Sequence, residues 1–220
     1  MLPPVRARAA RSESGFSFIE ILVVMGIIAV LAGMGILMVN LFIKKGPQFE
    51  TDNLVRRVKA SVISWQGKHH MLPPVRLADI QAAAGGVGPL IKHAGNRENE
   101  GIEALYQALY WPSFGTDPEF NEEKELANTD DDRLTQAATT RGVELREIVD
   151  GYGNPLIYFI HTVYALAERD PPTYTLKNGQ TVQPKPWREA AGGFVNPNSF
   201  QVFSLGEDGQ PNTEDDRKGW

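Results

Sequence analysis

The sequence of 220 residues contains no cysteine. Disulfides, thiolate zinc sites and cysteine nucleophiles are therefore excluded, while the redox compartment stays open, since a chain without cysteine suits either side of a membrane. Positive charge is in short supply: 22 Lys and Arg face 27 Asp and Glu, for a formal net charge of −5. The first 15 residues hold Arg6, Arg8 and Arg11 against Glu13, so the remainder carries −7. An acidic body repels a phosphate backbone, which argues against nucleic acid as a partner. Gly-x-Ser-x-Gly, His-Glu-x-x-His and P-loop patterns are all missing, and the expectation is a chain that is not an enzyme. There is no repeat architecture; the hexapeptide Met-Leu-Pro-Pro-Val-Arg at 1–6 and again at 71–76 has no physical account.

What the sequence does have is one long apolar run from Phe16 to Ile43, with no polar side chain between Ile21 and Val39. At about 1.5 Å per residue such a run spans roughly 42 Å as a helix, more than the ~30 Å of a bilayer core. It exceeds a secretory h-region and no Ala-x-Ala site follows it, so an ordinary cleaved signal is not expected. Three leader arginines against Lys44 and Lys45 beyond the run mildly favour a cytoplasmic N-terminus. Glu20 breaks the pattern. A carboxylate in a membrane helix costs about 2.5–3.5 kcal/mol near the centre and less near an end. Either it lies among headgroups at the interface, or it awaits a positive partner.

The segment Gly15-Phe16-Ser17-Phe18-Ile19-Glu20, behind a short basic leader and ahead of an apolar helix, resembles the class III signal of type IV pilins and their relatives. The resemblance implies cleavage by a prepilin peptidase between Gly15 and Phe16, and methylation of the new amine at Phe16. Glu20 then becomes the fifth mature residue, one helical turn from that amine. In a filament the carboxylate of one subunit would neutralise the amine of its neighbour and set axial register, because an unpaired buried charge is expensive. One feature departs from the family: no proline lies between Gly15 and Pro47, where many members carry one midway.

Gly46-Pro47 is expected to interrupt the run, with an amphipathic helix resuming after it. Val55, Val58, Val62 and Trp65 form its apolar stripe, with Arg56, Arg57 and Lys59 on other faces. Gly67 and Leu72-Pro73-Pro74 should end it. Gly85-Gly86 marks a break, and Glu100 to Tyr110 reads as a short amphipathic helix. Leu156 to Ile160 reads as a strand, Asn178-Gly179 as a hairpin turn, and Ser199 to Leu205 as the last strand. A helix followed by a few antiparallel strands makes an α+β head. His69-His70 reads as surface, Thr129-Asp130-Asp131-Asp132 as a helix N-cap or solvated turn, and the tryptophans as packing residues.

The C-terminal stretch 204–220 gathers Glu207, Asp208, Glu214, Asp215 and Asp216 among Gly, Pro and Asn. Composition leaves two readings open: a solvated acidic turn, or an oxygen-rich site for a hard cation such as Ca²⁺. It is not an EF-hand, since Thr213 stands where the loop glycine belongs and Gly219 where the last glutamate belongs. The order strand, Ser204-Leu205-Gly206-Glu207-Asp208-Gly209, then Thr213-Glu214-Asp215-Asp216 looks like the calcium loop of major pseudopilins of type II secretion systems. Asp150-Gly151-Tyr152-Gly153-Asn154-Pro155 and Gly101-Ile102-Glu103-Ala104-Leu105 resemble further elements of that family. The resemblance implies calcium ligands at Asp208, Asp215 and Asp216 through side chains, and at Leu205 and Thr213 through carbonyls.

The expected organisation is a class III leader at 1–15, a transmembrane and polymerisation helix at 16–43, and the amphipathic half of a stalk helix at 44–70. A periplasmic head at 71–220 follows, with insertions near 112–147 and 161–198. By resemblance to the G-type major pseudopilins, the chain is a single-pass inner-membrane precursor with its N-terminus cytoplasmic. It would polymerise with itself into a periplasmic pseudopilus that drives protein export. The implied partners are minor pseudopilins, the prepilin peptidase, the inner-membrane secretion platform and membrane lipid. A type IV pilin, a minor pseudopilin and a membrane-anchored substrate-binding module are the alternatives.

Overall fold

The computed structural model describes residues 17–83, 92–93, 97–110, 120–135 and 143–220, without the side chains of 35–44, 81–83, 92–93, 134–135 and 143. The Gly15–Phe16 bond, the Gly85-Gly86 break and residues 112–119 lie outside the described residues. The chain divides into two units, Met1–Lys44 and Lys45–Trp220.

Helix α1 is Phe18–His69. In the first unit its described side chains, Phe18 to Met34, are all exposed, the apolar ones included. Apolar side chains thus stand in the open on every face of this part of the helix. Among the described residues no helix is long and apolar enough to cross a membrane. The sequence run continues through 35–44, whose side chains are outside the description.

The expected interruption at Gly46-Pro47 does not occur, because α1 passes through Pro47. Proline removes one helix hydrogen bond, and its ring normally crowds the preceding residue's Cβ. Gly46 has no Cβ to crowd. The Pro47 carbonyl is in turn claimed by the Thr51 hydroxyl at 2.7 Å. Beyond this point Leu54, Val55, Val58, Val62 and Trp65 are buried and join the main core. The helix ends where His70 turns left-handed, at φ 56°, with the His69 ring tilted over Trp65 at 4.3 Å.

The head is α+β, as expected. Helix α2, Leu77–Ala83, precedes strand β1, Lys92–His93, and helix α3, Glu100–Tyr110. Four short strands follow: β2 Leu126–Ala127, β3 Arg133–Thr135, β4 Val143–Glu144 and β5 Glu147–Ile148. Then come β6 Ile157–Ile160, helix α4 Tyr164–Arg169, the hairpin of β7 Tyr174–Thr175 with β8 Thr181–Val182, β9 Phe200–Ser204 and β10 Arg217–Lys218. The sheets are small and antiparallel: β1-β3-β4, β2-β5, β7-β8 and β10-β9-β6. In the last, Ile157 pairs with Phe203 and Ile160 with Phe200. All five residues of β9 are buried, so the strand carries no polar-out alternation.

Ser199–Leu205 is thus not the last strand. β10 returns to pair Arg217 with Ser204, and the acidic segment becomes a connection clamped at both ends by one sheet. Gly219 continues the clamp by donating its N–H to the Val202 carbonyl at 3.0 Å. A side chain at Gly219 would meet Val202 Cγ1 at 2.9 Å and Val55 Cγ1 at 3.2 Å. Trp220 sits edge-on to Phe203, and the Lys218 ammonium lies 3.5 Å from the centre of the Trp187 ring.

Candidate functional site

At the N-terminus, Glu20 is exposed and its Oε2 accepts the Ser17 N–H at 3.3 Å. The side chain therefore reaches back one turn toward the start of α1. That is the direction in which an amine at Phe16 would lie, but Gly15 and Phe16 are outside the described residues.

The acidic connection is organised by a network that begins at Asp150. This buried carboxylate accepts the Ser204 hydroxyl at 2.5 Å and the N–H groups of Tyr152 and Asn154 at 2.9 and 3.0 Å. Burial pushes its pKa up, and these hydrogen bonds oppose the shift. Ser204 Oγ accepts the Gly206 N–H at 2.9 Å, so the 150–155 turn and the start of the acidic connection are one unit. Gly206 has φ +66°, and a Cβ there would collide with the carboxylate and carbonyl of Asp215. The glycine thus lets the two limbs of the connection close on each other.

Within the connection, the carboxylates of Asp208, Asp215 and Asp216 converge on one hydroxyl. Thr213 Oγ1 lies 3.5 Å from Asp208 Oδ1, 2.5 Å from Asp215 Oδ1 and 3.3 Å from Asp216 Oδ1. A hydroxyl donates a single proton, so it can satisfy one of the three. The amide of Asp208 donates to Asp215 Oδ2 at 3.1 Å, and that of Asn212 to Asp216 Oδ2 at 2.9 Å. Burial raises the Asp216 pKa to about 6. For Asp215, partial burial is outweighed by hydrogen bonds from Thr213 and the Asp208 amide, and the net shift is downward. Leu205 is fully buried at the root of the connection. The donor set is all oxygen, the residue types a calcium ion requires.

A second acidic group was not anticipated. The 128–132 segment is not a solvated turn: Asn128 bonds both the N–H and the carbonyl of Asp132, and the loop is folded against α3 and β5. Asp132 is buried, with Glu103 from the first turn of α3 and Glu147 from β5. One carboxylate oxygen each from Glu103, Asp130 and Glu147 all lie within 4.8 Å of one another. No other trio of acids or histidines among the described residues is as close. Burial, then the charges of Asp132, Asp130 and Glu147, raises the Glu103 pKa to about 10. Burial raises Glu147 to about 8 and Asp132 to about 7. The sequence signals for this group are the acidic run Asp130-Asp131-Asp132, read above as a helix N-cap or solvated turn, and Glu103, a lone carboxylate inside the apolar stretch Ile102–Tyr106. Glu147 carries none, because its meeting with the other two depends on tertiary packing.

A separate cleft of about 340 Å³ lies beside α3 and α4, with Arg76, Arg97, Glu98, Tyr158 and Tyr174 on its walls. No curated protein and no solved structure matches the chain. Residues 10–36, which carry the leader glycine, Glu20 and the exposed half of the apolar run, match the prokaryotic N-terminal methylation motif, and that match supports a type IV pilin-like precursor processed by a prepilin peptidase.

Proposed function

We propose that the chain is a G-type major pseudopilin, a non-catalytic structural subunit of a type II secretion pseudopilus. The observation that carries this reading is the N-terminal methylation motif on a helix whose apolar side chains stand exposed and whose Glu20 reaches toward its own N-terminus. After cleavage before Phe16, the new amine and the Glu20 carboxylate offer opposite charges one turn apart. In an apolar bundle, each would find its best partner on a neighbouring subunit. Polymerisation through this helix then supplies the function, with minor pseudopilins, the inner-membrane platform and membrane lipid as its partners. The C-terminal connection supports the secretion-type assignment over a type IV pilin. It has no cysteine, and the carboxylates of Asp208, Asp215 and Asp216 surround the Thr213 hydroxyl, farther apart than the oxygens of one ion; with the carbonyls of Leu205 and Thr213 they would be the ligands once drawn together.

The test is the mass of the protein recovered from membranes. A product beginning at methylated Phe16 is expected; an intact Met1 start removes the assignment. Glu20→Ala should still insert and be cleaved, yet fail to give the crosslinked ladder of a filament. The cleft beside α3 and α4 favours the membrane-anchored binding module as a second reading, and a ladder-free wild-type protein would select it.

A further inference from the structure

We propose that Glu103, Asp130 and Glu147 form a second cation site in the head, separate from the C-terminal connection and built for a hard divalent ion, calcium before magnesium or zinc. Three independent elements deliver the ligands: the first turn of α3, the closed 128–132 loop, and β5. Glu103 points to the ion most directly. It is fully buried, and neither of its oxygens meets an N–H or O–H donor. Both oxygens of Asp130 are buried too and lack a hydrogen-bond partner, although the residue itself is only partly buried. A buried carboxylate without a donor is a large desolvation cost with no return, unless a cation or a proton neutralises it.

The spacing suits a metal. Two oxygens bound to one calcium at about 2.4 Å can be at most about 4.8 Å apart, which is the limit the three ligand atoms meet. The donors are carboxylates only, which disfavours zinc and copper. They are deeply placed, which disfavours magnesium, an ion that keeps several waters.

The surroundings hold the ligands ready. Glu147 is aimed by the Asn99 side chain at 3.2 Å on Oε1 and by the Thr129 N–H at 3.0 Å on Oε2. Asn99 is itself fixed as the residue before α3, with its Oδ1 accepting the Thr175 N–H at 2.9 Å. This is the outer layer of hydrogen bonds that metal-binding carboxylates usually need. Asp132 lies near Glu103, where the two carboxyls can share a hydrogen bond only if one is protonated. Asp130 is the one member of the three that is not buried as a whole residue, although its carboxylate oxygens are. The charges acting on Glu103 are those of three neighbouring acids, so a divalent ion would relieve repulsion at all of them together.

The experiment uses the full chain in detergent micelles, stripped with chelator and re-equilibrated with calcium chloride. Bound calcium is counted by mass spectrometry of the metal, and the melting temperature is followed alongside. Glu103→Gln should lower the count by one calcium per chain and abolish part of the calcium-induced rise in melting temperature. In chelator the same variant should melt at or above the wild type, because a neutral amide replaces a buried acid. Asp215→Asn with Asp216→Asn serves as the control for the C-terminal connection, and Glu103→Gln must remove a calcium that this control retains. The affinity lost should exceed the ~10–100-fold that changes to outer-layer residues produce. If Glu103→Gln does not fold, Asp130→Asn on the half-exposed loop takes its place. An unchanged calcium count and affinity in these variants overturns the proposal, and so does the absence of any calcium in the control.

Discussion

At the scale of single residues, Asp150 shows how much one buried acid can organise. Its two oxygens take up the Ser204 hydroxyl and two backbone N–H groups, and Ser204 passes the order on to Gly206. Replacement by Ala would orphan three donors in a site that solvent scarcely reaches. Each orphaned donor costs about 1–3 kcal/mol, less where water can enter the space vacated. Asp150→Ala should therefore lower unfolding free energy by several kcal/mol and weaken calcium binding at the acidic connection, although the residue is not one of its expected ligands. Equilibrium denaturation with and without calcium measures both. A loss of stability with calcium affinity untouched would show that the two segments are not mechanically joined.

At the scale of elements, α1 meets the 150–155 turn beside Pro47. Thr51 accepts the Gly151 N–H at 3.0 Å while its own hydroxyl bonds the Pro47 carbonyl. A Cβ on Gly151 would come within 2.9 Å of Pro47 Cα and closer still to its carbonyl oxygen. Gly151→Ala should push helix and turn apart, at about 1–3 kcal/mol, the usual cost of overpacking. Pro47→Ala should be neutral or slightly stabilising, since it restores a helix hydrogen bond. Thermal melts of the two variants side by side give the comparison. A silent Gly151→Ala would mean that the contact yields easily.

At the scale of the whole molecule, the acid cluster makes stability depend on pH in an unusual direction. Asp132, Glu147 and Glu103 have pKa values raised by burial to about 7, about 8 and about 10. The folded chain thus holds protons that the unfolded chain releases at ordinary carboxylate values. This contribution is fully present below those values and is lost as pH rises through the folded ones. Asp216, raised to about 6, acts with the same sign over a lower range, and Asp215 with the opposite sign. In chelator, the melting temperature should fall steadily between about pH 5 and about pH 9, the reverse of ordinary acid denaturation. Calcium should raise the melting temperature and flatten the slope, since the ion takes over from the protons. A flat profile in chelator would mean that the carboxylates are neutralised by some other means.

Features whose physics is local are legible in the chain without its fold. An apolar run with a single acid near its start can be read without knowing what it touches, and the methylation motif spans that same stretch. The helix Glu100–Tyr110, the strand before Ile160 and the Asn178-Gly179 hairpin follow from side-chain period and turn chemistry, and each stands at the expected place. Features that join partners distant in the chain emerge only on folding. The seating of Thr51 against Gly151, about 100 residues away, follows no local pattern. That the acidic connection returns to the sheet depended on two residues, Arg217 and Lys218, with little strand propensity of their own. Glu103, Asp130 and Glu147 come from a helix, a loop and a strand, and no spacing rule joins them. Local sequence fixes what a residue prefers, whereas burial and charge repulsion arise only once separate segments share the same volume.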